Sequence, residues 1–289
     1  MTGANGQVGS AAVRLLEPLS RHQTVATDRQ TCDLASRDSV EQCIGEVAPE
    51  LIINAAAMTD VDGCETNSDA AYAVNALGMR YLAEAANRVD AHIVHVSTDY
   101  VFDGGATVPY HEWDRTNPQS IYGASKLGGE IEVMTHAHRW TIARTAWVYG
   151  SGKNFVDTII ARARQGDPLA VVDDQRGCPT FAADLAAMLV TLGVARRTGM
   201  FHVTNQGSCT WFDLARLALA LVGLDPACVT PMASTELDRP APRPANSVLD
   251  NRALRLGGID LLRPYQEALA EYLGVTPLSD QRLEALGVA

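Results

Sequence analysis

Positive charge is scarce in this sequence: 23 Lys and Arg stand against 34 Asp and Glu, a net charge of −11 over 289 residues. That balance excludes a protein whose whole surface binds nucleic acid or an anionic membrane. A helix N-terminus and a few arginines can still hold a small anion locally. No apolar run approaches the length of a membrane span and no signal-peptide pattern is visible, so the expectation is a cytoplasmic chain with no membrane partner. The six cysteines (Cys32, Cys43, Cys64, Cys178, Cys209, Cys228) include no C-x-x-C pair and no cluster with histidine. They read as reduced thiols, many of them buried, and offer no zinc site. Internal repeats and low-complexity tracts are absent too.

What is present is ordinary in bulk, with 47% hydrophobic and 20% charged residues, and long enough for one large domain or two small ones. Short apolar runs alternate with amphipathic stretches. Val8, Ala12, Leu15, Leu16 and Leu19 fall on one helical face, and residues 23–28 suit a strand that ends on Asp28. Residues 51–57 and 92–97 are strand candidates around a helix pattern over 70–88. A helix near Tyr122 and a strand over 141–147 follow. This alternation predicts an α/β fold, a Rossmann-type doubly wound parallel sheet. Beyond residue 150 the rhythm loosens. Thr210 to Asp213 predicts a capping box opening a helix that ends near Gly223, and three prolines over 238–244 require an extended loop. The expected division is a dinucleotide-binding domain over 1–148, joined by parts of 182–222, and a smaller C-terminal domain, mainly substrate-binding, over 149–289.

Gly3, Gly6 and Gly9 form a turn of the kind that cradles a diphosphate at a helix N-terminus. Asp28 stands where such a unit holds the adenosine ribose, and the adjacent Arg29 suits a 2′-phosphate. Both NADH and NADPH stay open as cofactors, with Arg29 favouring the second. Only Met1 and Thr2 precede the turn, where a whole strand is expected. The simplest account is a start assigned inside the first β-strand, with Met read from a GTG valine codon, leaving a handful of residues absent.

The strongest local signal is Ser97-Thr98-Asp99-Tyr100-Val101-Phe102 followed by Tyr122-Gly-Ala-Ser-Lys126. Tyr122 and Lys126 are four apart and share a helical face. A tyrosine is a poor acid-base group at neutral pH unless its anion is stabilised, and a lysine one turn away does that. Thr98, at the carboxyl end of its strand, is placed to donate a hydrogen bond to a carbonyl oxygen.

With these residues in place the chain resembles the extended short-chain dehydrogenase/reductases, and more closely the dTDP-4-dehydrorhamnose reductases. The resemblance rests on residues 3–9, 54–62, 97–104, 144–150, 154–155, 174–180 and 243–247, in that family's order. It implies reduction of the C4 keto group of dTDP-4-dehydro-L-rhamnose to dTDP-L-rhamnose, with a dTDP-sugar as substrate. Tyr122 would be the proton donor, Lys126 would lower its pKa, and Thr98 would polarise the carbonyl. Gly6, Gln7, Val8, Asp28, Asp33, Leu34, Ala55, Ala56, Ala57 and Val96 would hold the cofactor with Gly3, Gly9, Arg29, Tyr122 and Lys126. Thr98, Asp99, Tyr100, Trp147 and Arg243 would contact the sugar nucleotide, and Asn75 stands where extended members carry an active-site asparagine. Some members dimerise through magnesium held by glutamates. Here the helix after the glycine turn begins with Ala11 and Ala12, so no metal is expected, and monomer and homodimer both stay open.

Other readings stand beside these. Trp147 on an apolar strand suits the core, and His92 and His95 suit structural or surface roles. Asp173 and Asp174 suit a solvated turn, and Arg243 pairs equally well with a substrate phosphate or a carboxylate of the chain. Another nucleotide-deoxysugar 4-ketoreductase, such as one of dihydrostreptose synthesis, is the first alternative. A non-catalytic regulatory subunit is the second, opposed by the intact Thr98, Tyr122 and Lys126.

Overall fold

The computed structural model describes residues 1–18 and 23–288. Four parallel strands form the central sheet in the order β1 (Leu51–Asn54), β2 (His92–Thr98), β3 (Trp140–Thr145) and β4 (Gly199–His202). Alternate side chains along the strands feed opposite faces. Ile52, Ile93 and Ile142 join one core, whereas Ile53, Val94 and Ala143 join another. Near-continuous apolar runs in the strands follow from burial on both faces.

The first of these cores is covered by the helices Arg37–Val47, Gly78–Arg88 and Ile121–His136. The second is covered by Ala182–Val194, with Leu185, Leu189 and Leu192 fully buried. Ala11 and Ala12 of the helix Gln7–Leu16 pack on Ala182 and Ala186 of that same helix. Further apolar residues gather around Phe155–Gln165, Trp211–Leu221, Tyr265–Tyr272 and the paired strands Leu169–Val172 and Val229–Met232. The capping box at Thr210 and Asp213 forms as the sequence predicts. Among the described residues no helix is long and apolar enough to cross a membrane.

Two expectations need correction. The helix over 70–88 is interrupted: Ser68–Tyr72 passes into a π-helical turn at Ala73–Leu77 before Gly78–Arg88 begins. Residues 23–28 form no continuous strand either. Thr27 alone makes a parallel bridge, to Thr2, which bridges Asn54 on its other side. A ladder needs a partner along its length, and among the described residues Met1 and Thr2 lie between the two segments. The Met1 ammonium donates to the Val25 carbonyl at 2.8 Å and the Thr2 N–H to that of Ile53 at 3.0 Å. Beyond them the sheet holds a cavity of about 640 Å³ lined by Val25, Ile44, Val47, Leu51, Ile53 and Val194, among others. Leu19, assigned to the first helical face by its spacing, lies outside the described residues.

Candidate active site

The carboxyl end of β2 carries the first reactive group. The Thr98 hydroxyl accepts the Tyr100 N–H at 3.2 Å and donates to Asp99 Oδ1 at 2.9 Å, closing the short 3₁₀ turn Asp99–Val101. Burial raises the Asp99 carboxyl to about 6, against the hydrogen bond from Thr98. Active groups at strand carboxyl ends are what an open α/β sheet provides.

Helix Ile121–His136 brings the second group. Ser120 caps it by accepting the Gly123 N–H at 3.1 Å, and Glu65 takes the Ile121 N–H at 2.8 Å. The Tyr122 ring meets Tyr100 edge-on with centroids 5.4 Å apart. Burial pushes the Tyr122 phenol above its ordinary value; nearby Thr98 opposes this, and Asp99 and Tyr100 add to it. The expectation that Lys126 lowers this pKa does not describe the present arrangement. The Lys126 ammonium turns inward and donates to the Val96 carbonyl at 2.7 Å. Burial lowers Lys126 to about 8, with Glu130 working the other way. Tyr122 is therefore held as the neutral phenol, the form that donates a proton.

Asn75 sits in the π-helical turn and ties two segments together. Its amide oxygen accepts the Met58 N–H at 2.8 Å, and its nitrogen donates to Met58 O and Ser125 Oγ, each at 3.0 Å. Ser125 Oγ in turn donates to Tyr122 O at 2.9 Å. A π-turn is a common device at functional sites because it re-aims one side chain.

Arg243 reaches the same region from the proline-rich loop. It pairs with Asp62 through two hydrogen bonds of 2.7 and 2.8 Å, so a carboxylate of the chain claims it here. A cavity of about 150 Å³ lies between it and Tyr100, Phe102, Gln119 and Ser120. Trp147 packs against the cluster that holds Val101 and Phe102, and stacks on Trp211 with centroids 3.6 Å apart. Its φ of +47° is unusual for a bulky residue and marks a position held by its surroundings.

The glycine turn fits a dinucleotide. A Cβ on Gly9 would lie 2.0 Å from the Gly3 carbonyl oxygen, and one on Gly3, at φ +70°, would strike the Ala55–Ala56 backbone. Helix Gln7–Leu16 starts from Gly6 with no side-chain cap and no acid in its first turn, leaving N–H groups for an anion. Gln7 donates to the Lys153 carbonyl at 3.2 Å while its own Oε1 is buried without a partner. Asp28 accepts from Asn5 of the turn at 3.1 Å, and its hydrogen bonds with Thr31 and Gln30 lower its pKa. Arg29 projects into solvent, 3.9 Å from Asp33. Val8, Ala55, Ala56, Ala57 and Val96 are half-buried around this cradle. Leu34 is different: its side chain belongs to a core, so only its backbone can meet a ligand.

Thr98, Asp99, Tyr100, Tyr122 and Arg243 thus meet, with Lys126 beneath. Sequence reasoning passed over Asp62, Glu65 and Trp211 as partners, because nothing in a linear pattern pairs residues up to 181 positions apart. Among the described residues no three His, Cys, Asp or Glu side chains cluster to hold a metal ion.

Residues 1–276 match the family described as "RmlD substrate binding domain". The chain is 42% identical to the dTDP-4-dehydrorhamnose reductase of Mycobacterium tuberculosis, covering 98% of this chain and 95% of that one. The crystal structure of a dTDP-4-dehydrorhamnose reductase from Clostridium acetobutylicum superposes with a TM-score of 0.92 at 44% identity, covering 94% and 97% of the two chains. That of Bacillus anthracis, in complex with NADP, gives a TM-score of 0.91 at 37% identity over 94% and 96%.

Proposed function

The chain belongs to the dTDP-4-dehydrorhamnose reductase family, and on that footing we propose that it reduces the C4 keto group of dTDP-4-dehydro-L-rhamnose to give dTDP-L-rhamnose. The observation that carries this is the placement of Tyr122, edge-on to Tyr100, at the turn that Thr98 opens at the carboxyl end of β2. A bound NADPH or NADH supplies the hydride. The residues of the chain do the rest. Thr98, turning its hydroxyl from Asp99, donates to the keto oxygen, and Tyr122 delivers the proton that the developing alkoxide requires. Asp99, Tyr100 and Arg243 contact the sugar nucleotide, with Trp147 completing the sugar pocket. Gly3, Gly6, Gln7 and Gly9 take the pyrophosphate on the helix N-terminus, Asp28 takes the ribose, and Arg29, free to turn, takes a 2′-phosphate. The proposed setting is the cytoplasm, as a monomer or homodimer, with no nucleic-acid or membrane partner.

Incubation with dTDP-4-dehydro-L-rhamnose generated in place, with NADH and NADPH in parallel, tests the assignment by product analysis. dTDP-L-rhamnose is the expected product. A different reduced nucleotide sugar would move the chain to another 4-ketoreductase, and oxidation of neither cofactor by the folded protein would contradict the proposal.

A further inference from the structure

Lys126 is one of two lysines in the chain, with Lys153, and its side chain is buried. A buried chain of hydrogen bonds leads to it from the glycine turn. It begins at Asn54, whose Oδ1 accepts the Ala56 N–H at 3.2 Å and also the Thr2 hydroxyl. Two donors on that oxygen fix the amide's orientation, so its nitrogen is the atom 2.9 Å from His95 Nδ1 and 3.1 Å from Met79 Sδ. An amide nitrogen only donates, so His95 Nδ1 accepts and carries no proton. His95 is fully buried, and burial and Lys126 together hold its pKa well below the ordinary value. A neutral ring with a bare Nδ1 has its proton on Nε2, and Nε2 lies 3.5 Å from Lys126 Nζ. An N–H there finds an acceptor in the uncharged amine and none in the ammonium.

The other charged and titratable groups around Lys126 are few. Glu130 is on its own helix and favours the charged lysine, but Arg144 of β3 claims it through bonds of 2.8 and 2.7 Å. Tyr122 stands one turn before, and His95 is what β2 contributes.

We propose that His95 is a positioning residue for Lys126: locked by Asn54 as the Nε2–H tautomer, it offers the lysine a hydrogen-bond donor and so favours the amine over the ammonium. The effect on turnover rests on the proposed reductase function, whereas the tautomer and the lysine titration do not.

The test uses the full chain without added nucleotide, labelled with ¹³Cε-lysine and with ¹⁵N-histidine. Two lysines give two lysine signals, and Lys153 serves as the internal reference. The expected result is a Lys126 midpoint well below the usual lysine value of about 10.4, and a His95 Nδ1 that is unprotonated across the neutral range. In a folded His95→Gln variant, whose amide oxygen can accept from an ammonium, the midpoint rises by about one pH unit or more, a tenfold gain in proton affinity. In the turnover assay the basic limb of the kcat profile moves with it. A wild-type Lys126 that titrates at the ordinary value, or a His95 protonated on Nδ1, overturns the proposal. So does a folded His95→Gln with an unchanged midpoint. Should that variant not fold, the two wild-type measurements decide alone.

Discussion

Replacing Lys126 by methionine should make the protein more stable at neutral pH and destroy its activity. The side chain is 2% exposed, and burial draws its pKa from 10.5 to about 8. At about 1.4 kcal/mol per unit, keeping it charged at pH 7 costs roughly 3 kcal/mol. Methionine has similar length and no charge, so Lys126→Met removes that cost. It also strands the Val96 carbonyl, which now accepts the ammonium at 2.7 Å, and an unsatisfied buried acceptor costs roughly 1–3 kcal/mol. The net gain at pH 7 is therefore about 1 kcal/mol, a Tm rise of roughly 2 °C for a chain of this size. The sign reverses with pH. Between about 8 and 10.5 the unfolded chain binds more protons than the folded one, so wild-type stability climbs across that window. Near pH 10.5 the wild type should be the more stable of the two. Urea denaturation of both proteins at pH 7 and near pH 10.5 measures this. A Met variant less stable at pH 7, with a difference that does not change with pH, would refute the reasoning. Turnover should fall roughly 100-fold or more, within the usual range for a displaced acid-base group.

Three further outcomes follow from the packing. Gly9→Ala places a Cβ 2.0 Å from the Gly3 carbonyl oxygen; loss of NADPH affinity by calorimetry, with a lower Tm, is expected, and unchanged binding would contradict the assigned turn. Arg144→Leu leaves Glu130 buried and unpaired, where two hydrogen bonds and full burial now hold the pair; a loss of about 3–5 kcal/mol in urea denaturation is expected. Four β-branched residues joined to Met1 should run along Pro49–Ile52 into the 640 Å³ cavity and replace the half-buried ammonium by an amide. At about 1.5–3 kcal/mol per buried apolar side chain, a gain of a few kcal/mol is expected, read as a higher Tm.

The parts of the fold that the sequence made legible are those where one local rule decides. The glycine turn is legible because only glycine tolerates the contacts at Gly3 and Gly9. Thr98, Tyr122 and Lys126 are legible because one strand end and one helical turn carry them. The apolar runs of β1 to β3 announce a sheet buried on both faces. What stayed hidden depends on partners. Residues 23–28 alternate like a strand, yet a ladder needs a neighbour along its length, and among the described residues they bond to Met1 and Thr2 at one end. The π-helical turn at Asn75 follows from hydrogen bonds to Met58 and Ser125, which leave no periodic mark. His95 reads as a structural histidine on an apolar strand. Its relation to Lys126 emerges only when Asn54, 41 residues earlier, fixes its tautomer. Lys126 itself carries a lesson about state: its spacing from Tyr122 predicts a pKa partner, while the fold turns its ammonium toward Val96.

The most direct test of the account is the rate of reduced-nicotinamide oxidation with dTDP-4-dehydro-L-rhamnose, compared between the wild type and Tyr122→Phe. Removing the hydroxyl deletes the proton donor while keeping the ring that meets Tyr100 edge-on. The account predicts turnover by the wild type and a loss of roughly 100- to 10,000-fold in the variant, with both proteins folded and binding cofactor alike. Equal rates in the two would contradict it.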